Sequence, residues 1–240
     1  MALAVLAMLA GARGASLSAG YLRRVTAPHD GFTRAFGAGW PAKIPPTLAP
    51  RLLKKRWTWQ APEAPEPRWT RDLAFWTIPG TGRRLLCDLW QPPEDVPPSG
   101  LAFIYLHGAG WHLGDKDLGT RFFFPHLAAQ SHVVMDVAYR LCPETDLRGM
   151  VGDAKRAVVW MRRQAGNCGV DPERIVIGGG SSGGHPALPA AYAPGSPAWS
   201  PQDLKGTVAS VRAVISYYGP TDLNVYYEHA GAIYGLDQRD

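Results

Sequence analysis

The chain has 240 residues and a formal net charge of +5, with 46% hydrophobic and 19% charged residues. A chain of this length can bury one sizeable core, so we expect one principal domain. Its basic residues are scattered apart from Arg51–Arg56, and no stripe of basic and aromatic side chains follows. We therefore expect a solvated face there and no nucleic-acid site. Cys87, Cys142 and Cys168 lie far apart without a C-x-x-C pair, so neither a disulfide framework nor a metal site is predicted.

Residues 1–20 open with an apolar run, Met1–Ala10, which is followed by small residues. The run has the length of the hydrophobic region of a signal peptide, but it lacks a preceding positive charge and is too short to span a bilayer. A secretion signal, a membrane-proximal anchor and the remnant of a longer start all stay open, and membrane association through this segment is one expectation. Residues 21–67 are rich in proline and tryptophan, which predicts an irregular arm or a lid near the site and not a second domain.

The remaining segment, residues 68–240, is expected to form the main domain. Arg68–Ile78 and Arg84–Trp90 read as a β-hairpin around a Pro-Gly-Thr-Gly turn. Strand-like and helical segments then alternate, with strands over 101–106, 132–139, 175–177 and 211–218 and helices over 117–130, 149–165 and after His185. Continuous apolar strands such as Leu101–Leu106 are typical of a sheet covered on both faces. The alternation predicts an α/β fold with a mostly parallel, doubly wound sheet.

A glycine-rich turn joins the strand at 175–177 to the helix after His185. Gly179–Gly183 fits the nucleophile-elbow pattern G-x-S-x-G, in which a strained serine stands between strand and helix and the residues two before and two after it must lack a Cβ. Gly180–Gly184 fits the same pattern and would make Ser182 the nucleophile. Gly178, Gly180 and Gly183 also satisfy G-x-G-x-x-G, the loop that binds a dinucleotide phosphate, and a plain tight turn would account for the glycines as well.

A second motif, His107–Trp111 (His-Gly-Ala-Gly-Trp), stands where the strand 101–106 ends. Consecutive small residues let successive N–H groups point into one cavity, and such a nest stabilises the oxyanion that forms when a serine attacks an ester carbonyl. The dinucleotide interpretation gives this loop no role. It also requires an acidic residue after the next strand, whereas Asp203, at about the right distance, lies in a Pro/Ser-rich loop. The two motifs together favour a serine hydrolase.

At this point the chain resembles a family, the hormone-sensitive-lipase-like carboxylesterases of the α/β-hydrolase fold. The motifs that carry the resemblance stand in the family's order and are His107–Trp111, Tyr139–Glu144, Asp171–Ile175 and Gly179–His185. The resemblance implies hydrolysis of carboxylic esters through an acyl-enzyme, with a small-molecule ester as the partner and with no cofactor and no metal. It implies Ser181 as the nucleophile, and the backbone N–H groups of Gly108, Ala109 and Ser182 as the oxyanion hole.

The same resemblance places His107 and His185 at structural positions and not as the general base, with Trp111 packed behind the oxyanion loop. Two departures concern the site itself. Ala109 stands where the family more often has glycine, so its Cβ is expected to narrow the acyl site. Pro186 and Pro189 fall in the helix after the elbow, and Pro189, which removes a helical hydrogen bond, predicts a kink or distortion there.

A third departure concerns the catalytic acid and base, which in this fold follow the nucleophile in chain order. Asp222 and His229 are the only downstream pair in a plausible order, and they stand too close together in sequence for the usual two loops. We therefore expect the acid and the base beyond Asp240, a truncated domain over 68–240, and a sheet that is incomplete at its C-terminal edge.

Two alternatives stay open. The chain would be a catalytically inactive, truncated hydrolase-like binding protein if the base is absent, and the exposed edge of its final strand would favour self-association. A hydrolase that acts on an amide or a peptide is the other alternative. Nothing in the sequence separates ester from amide substrates.

Overall fold

The computed structural model describes residues 11–16, 19–20, 31–44, 46 and 64–234, and the side chains of the last helix are described to residue 228. The chain divides into two compact units, residues 1–63 and residues 64–240. In the first unit the structure describes helix α1 (Gly31–Phe36) and a 3-10 turn, Trp40–Lys43. Most of the predicted N-terminal segment and of the predicted arm lies outside the described residues, so both stay predictions. Within the described part of the chain, no helix is both long enough and apolar enough to cross a bilayer.

The second unit is built on a six-stranded sheet with the strand order β1-β2-β4-β3-β5-β6. Its strands are β1 (Arg68–Thr77), β2 (Arg84–Gln91), β3 (Gly100–Leu106), β4 (Val133–Ala138), β5 (Val170–Gly180) and β6 (Ala213–Tyr217). β1 and β2 pair antiparallel, as do β2 and β4, whereas β4, β3, β5 and β6 run parallel to one another. The mostly parallel sheet with a hairpin at one edge is confirmed.

Over residues 64–234 the structure describes five helices in this unit: α2 (Phe124–Ala129), α3 (Leu147–Arg163), α4 (Ala165–Cys168), α5 (Gly184–Tyr192) and α6 (Leu223–Tyr234). The prediction of a helix from residue 117 was wrong at its start. Asp117 and Gly119 take left-handed φ angles of 71° and 66°, which an α-helix does not accommodate, so α2 begins only at Phe124. Asp146 caps α3, because its side chain accepts a hydrogen bond from the Gly149 N–H at 2.9 Å.

Neighbouring residues of the central strands pack into different hydrophobic clusters. Ile104 of β3 belongs to the main cluster, which also holds Val151 and Ala154 of α3. Phe103, the preceding residue, belongs to a second cluster together with Phe124 of α2. Because successive side chains of a strand point to opposite faces, the sheet carries a helical layer on each face. The doubly wound arrangement inferred from the sequence is therefore present.

Two features of this sheet position the site. The carboxyl ends of the parallel strands β3, β5 and β6 meet at one edge, so the segments that follow Leu106, Gly180 and Tyr217 lie together. On the far side of β6 the strand pairs with no other described segment. Ile215 and Tyr217 of β6 are exposed.

Candidate active site

Ser181 stands at the apex of a tight turn between β5 and α5. β5 ends at Gly180, and a 3-10 turn over Ser181–Gly183 leads into the helix. Ser181 takes a φ of 51°, a left-handed conformation that strains a residue with a Cβ. Such strain persists only where the surrounding structure holds it in place, and it concentrates at functional sites. Ser182, by contrast, is buried within the turn with 1% exposure.

The glycines two before and two after Ser181 lie where a Cβ does not fit. A Cβ on Gly179 would lie 2.5 Å from the Leu106 carbonyl oxygen. One on Gly183 would lie 2.1 Å from that same oxygen and 2.3 Å from the His107 carbonyl oxygen. Strand, turn and helix therefore approach the end of β3 too closely for any side chain at these two positions. This is the spacing that G-x-S-x-G requires when it is centred on Ser181.

The segment His107–Trp111 lies directly against this turn. A Cβ on Gly108 would lie 2.9 Å from the Gly180 carbonyl oxygen and 3.3 Å from the Ser181 Cβ. The following three residues, Ala109, Gly110 and Trp111, have φ angles of 97°, 68° and 66°. This run of left-handed residues curls the backbone beside Ser181, and at Ala109 it strains a residue that carries a Cβ.

Contacts of His107 hold the start of this loop in place. The buried His107 ring places Nδ1 2.8 Å from the Gly108 carbonyl oxygen, and burial lowers the pKa of His107, which favours the neutral ring. The Tyr139 hydroxyl donates a hydrogen bond to the His107 carbonyl oxygen at 2.7 Å, and the two rings lie 4.8 Å apart. These contacts suit the structural position that the resemblance implies for His107. Sequence reasoning missed this role of Tyr139, although the residue opens one of the four motifs.

Trp111 connects the loop to two helices. Its ring meets that of His185 in α5 edge-on, with centroids 5.7 Å apart, and that of Tyr226 in α6 with centroids 6.3 Å apart. The Trp111 carbonyl oxygen accepts a hydrogen bond from the Cys142 N–H at 2.9 Å. Burial lowers the pKa of His185, so its neutral form is favoured as well. Pro189 lies inside α5, which extends without interruption from Gly184 to Tyr192, and the Ala193 N–H donates to the Pro189 carbonyl oxygen at 3.0 Å.

Packing explains Gly178, the first glycine of the dinucleotide-binding pattern. A Cβ on Gly178 would lie 2.5 Å from the Ile215 carbonyl oxygen and 2.8 Å from the Phe103 ring, so this glycine permits close contact between strands. Asp203, the acidic residue at the corresponding distance, accepts hydrogen bonds from Arg156 at 2.7 and 2.9 Å and from the Trp76 indole at 2.9 Å. An aspartate engaged in this way is not available to a ribose.

Asp222 acts as a helix cap in the described structure. Asp222 precedes α6, and its side chain accepts hydrogen bonds from the N–H groups of Asn224 and Val225 at 3.0 and 3.1 Å, which is the geometry of a helix cap. His229 belongs to α6, but its side chain lies outside the described residues. The expectation that the acid and base are other residues stays a prediction. Among the described side chains, no group of three or more His, Cys, Asp or Glu is arranged to hold a metal ion.

The sequence and the fold both have relatives among known proteins. Residues 87–236 match the protein family BD-FAE. The probable carboxylic ester hydrolase LipM of Mycobacterium tuberculosis is 30% identical over 142 residues, which cover 59% of this chain and 33% of LipM. Ethyl acetate hydrolase of Pseudomonas putida is 36% identical over 126 residues, which cover 52% of this chain and 39% of that protein. Esterase 2 of Thermogutta terrifontis, solved after phosphoramylation by tabun, superimposes with a TM-score of 0.55 and 25% identity over 66% of this chain and 58% of the esterase.

These matches differ in how much of the relatives they cover. The matched part of the chain spans 33% of LipM and 34% of esterase LipQ, so it corresponds to about a third of those proteins. The family match, in contrast, covers more than half of this chain. With the strand order and the elbow described above, the chain belongs to the BD-FAE family and has the α/β-hydrolase fold of the carboxylic ester hydrolases.

Proposed function

We propose that this protein is a serine hydrolase that cleaves carboxylic esters through an acyl-enzyme formed on Ser181. One observation carries the proposal: Ser181 is held at a φ of 51° at the apex of the elbow, with the backbone of Gly108 packed against it. A serine with a left-handed backbone conformation, placed between a central strand and a helix, presents its hydroxyl at the carboxyl edge of the sheet. In this fold the catalytic residues lie at that edge.

Each group has a defined task in this mechanism. The Ser181 Oγ would attack the acyl carbon, its proton would pass to a base, and the alcohol would leave once it is protonated. The backbone N–H groups of Gly108, Ala109 and Ser182 would hold the negative charge that develops on the carbonyl oxygen. Removing one such donor in a comparable site costs about 10²–10³ in rate, so these amides are expected to contribute a large share of the catalysis.

The names of the relatives support an ester as the substrate. A probable carboxylic ester hydrolase, two further esterases and an ethyl acetate hydrolase are among the proteins that match this chain. The ethyl acetate hydrolase, at 36% identity, supports a small ester in particular. We therefore propose a small-molecule carboxylic ester as the substrate, in preference to an amide or a peptide.

A second candidate is a hydrolase-like protein that binds its ligand without cleaving it. One observation favours it: among the described side chains, none is hydrogen-bonded to the Ser181 hydroxyl, and Asp222 serves as a helix cap. A serine without a base keeps mainly the contribution of the oxyanion hole and of binding. The two candidates differ in whether turnover occurs.

Hydrolysis of aryl esters by the full natural protein tests the proposal. We expect p-nitrophenyl acetate or butyrate to be cleaved, and Ser181→Ala to reduce kcat by about 10³-fold or more, because the covalent route is lost. Ser182→Ala is the matched control and should retain a substantial part of the activity, since only its backbone N–H is used. The corresponding anilides separate ester from amide specificity. If hydrolysis persists in Ser181→Ala and disappears in Ser182→Ala, the nucleophile has been assigned to the wrong serine.

A further inference from the structure

An apolar pocket of about 180 Å³ lies beside the candidate active site. It is lined by residues from four separate segments, among them Trp111, Cys142, Leu147, Met150, His185 and Leu223. No carboxylate, lysine or arginine contributes to its wall. A pocket of this composition favours a hydrocarbon group of a ligand and provides no acidic, lysine or arginine side chain to pair with a charged one.

Two residues of its wall, Trp111 and His185, belong to the segments that carry the proposed reacting groups. Trp111 ends the His107–Trp111 loop, whose Gly108 packs against Ser181. His185 stands four residues after Ser181, in the first turn of α5. Trp111 and His185 contact each other edge-on, with ring centroids 5.7 Å apart. The pocket is therefore bounded by both of the segments between which an ester carbonyl would be held.

Three further residues of the wall belong to the hydrophobic core or pack against it. Met150 is 1% exposed and belongs to the main hydrophobic cluster, against which Leu147 and Cys142 also pack. The Cys142 N–H is hydrogen-bonded to the Trp111 carbonyl oxygen at 2.9 Å, which ties the two sides of the pocket together. A preformed pocket of this kind binds a ligand group without a large ordering cost.

We propose that this pocket binds the apolar arm of the ester substrate and that Leu147 and Met150 set the length of the arm it accepts. The inference rests on the proposed function, since it assigns a substrate feature to that same site. Apolar protein cavities of about 150 Å³ hold a benzene molecule. A pocket of about 180 Å³ should therefore accept an arm of about six carbons or fewer. The apolar arm is either the acyl chain or the alcohol, and both present the same chemistry to the pocket.

The first test measures specificity with two series of esters. One series lengthens the acyl chain with p-nitrophenol as a fixed leaving group, and the other lengthens the alkyl alcohol with acetate as a fixed acyl group. In the series whose arm enters the pocket, kcat/KM should rise about fourfold for each added methylene until the pocket is full, and then fall. The other series should show no such limit.

Leu147→Ala should move that limit to arms about two carbons longer, because the deleted side-chain carbons leave room for the substrate. Leu73→Ala is the matched control, because Leu73 is a partly buried leucine of β1 that packs against the main hydrophobic cluster without lining the pocket. The longest arm that the Leu73→Ala protein accepts should equal that of the wild type. The limit is found by comparing kcat/KM between substrates on the same preparation. A general loss of stability or of active protein lowers all these values together and does not move the limit.

A second test uses Cys142 and does not need turnover. Cys142 is partly exposed within the pocket, whereas Cys87 and Cys168 are buried, so methyl methanethiosulfonate should modify Cys142 first. In Ser181→Ala protein, ethyl butyrate should slow this modification several-fold, and equal concentrations of ethyl acetate should slow it less. In the wild-type protein the added methylthio group should shorten the accepted arm, and Cys142→Ala protein should be unaffected by the reagent.

The outcomes separate this inference from the proposed function. If Ser181-dependent hydrolysis is present but neither Leu147→Ala nor modification of Cys142 changes the accepted length, and if ethyl butyrate gives Cys142 no protection, the pocket does not hold the substrate. If no Ser181-dependent hydrolysis occurs, the proposed function fails. Protection of Cys142 by ethyl butyrate would then still show that the pocket binds an apolar arm.

Discussion

Replacing Gly183 with alanine should damage both the stability and the chemistry of this protein. The added Cβ would lie 2.1 Å from the Leu106 carbonyl oxygen and 2.3 Å from the His107 carbonyl oxygen, whereas Cβ atoms in proteins essentially never approach closer than 3.0 Å. The end of β3 and the elbow must therefore separate by about 1 Å, and neither side can do so by rotating a side chain. Forced insertions of this kind typically cost about 1–3 kcal/mol.

The same displacement separates Gly108 from Ser181. A shift of about 1 Å in reacting geometry can cost about 10²-fold in rate, so we expect a loss of that order in kcat for an aryl ester. For a domain of about 150–250 residues, 1–3 kcal/mol corresponds to a decrease in Tm of about 2–12 °C. Differential scanning calorimetry and initial-rate kinetics on the same preparation measure both effects.

Gly166 provides the matched control for this substitution. It is an exposed glycine of α4, and a Cβ there would find no atom within 4 Å. Gly166→Ala should be neutral or should stabilise by up to about 1 kcal/mol, because alanine has less freedom to lose on folding into a helix. A Gly183→Ala protein with the Tm and the activity of the wild type would refute the close approach of elbow and strand on which the site depends.

Three further substitutions test separate parts of the structure. Ala109→Gly should raise stability by up to about 1 kcal/mol in chemical denaturation, because it relieves a φ of 97°. Asp153→Ala should lower stability by about 3–5 kcal/mol in urea, because the fully buried Asp153 carboxylate accepts from both Arg140 and Arg156 at 2.8 Å. Arg140 would lose this carboxylate, and Arg156 would keep only Asp203. Burial raises the pKa of Asp136 to about 7, well above the value of about 3.9 in an unfolded chain. The folded state therefore retains this proton more firmly, so its contribution to stability should fall as the pH rises from about 4 to 7, and Asp136→Asn should flatten that decrease.

Each of these predictions has a result that would contradict it. A lower stability in Ala109→Gly would show that the strain at Ala109 is smaller than the entropy that glycine adds to the unfolded chain. An Asp153→Ala protein within 1 kcal/mol of the wild type would mean that Arg140 finds another partner and that Asp203 is sufficient for Arg156. An equally steep decrease in stability between pH 4 and 7 in Asp136→Asn would assign the titration to a different group.

The sequence alone was sufficient to predict the sheet and the elbow. Continuous apolar strands and alternating helices are local patterns, and they located all six strands to within a few residues, with the largest difference at β5, which begins at Val170 and not at Ile175. The prediction that the residues two before and two after Ser181 must lack a Cβ also agrees with the contacts of Gly179 and Gly183. Both follow from spacing along the chain.

What the sequence did not reveal depends on contacts between distant segments. Asp153 holds Arg140 from the loop after β4, and Arg156 pairs in addition with Asp203, which lies 47 residues further along the chain. Lys155 is fully buried and donates to the Ala193 carbonyl oxygen at 2.6 Å, although a lysine on a helix is normally expected in solvent. The apolar pocket is likewise assembled from separate segments. No periodicity or motif predicts such pairings, because they exist only once the sheet has brought those segments together.

The most direct test of the central claim is to locate the adduct of a fluorophosphonate probe by mass spectrometry of the labelled peptides. Esterase 2 of Thermogutta terrifontis, whose structure is similar, was solved after phosphoramylation by tabun. We expect a single adduct on Ser181, absent from Ser181→Ala and retained in Ser182→Ala. An adduct on Ser182, or labelling that survives Ser181→Ala, would contradict the assignment of Ser181 as the nucleophile.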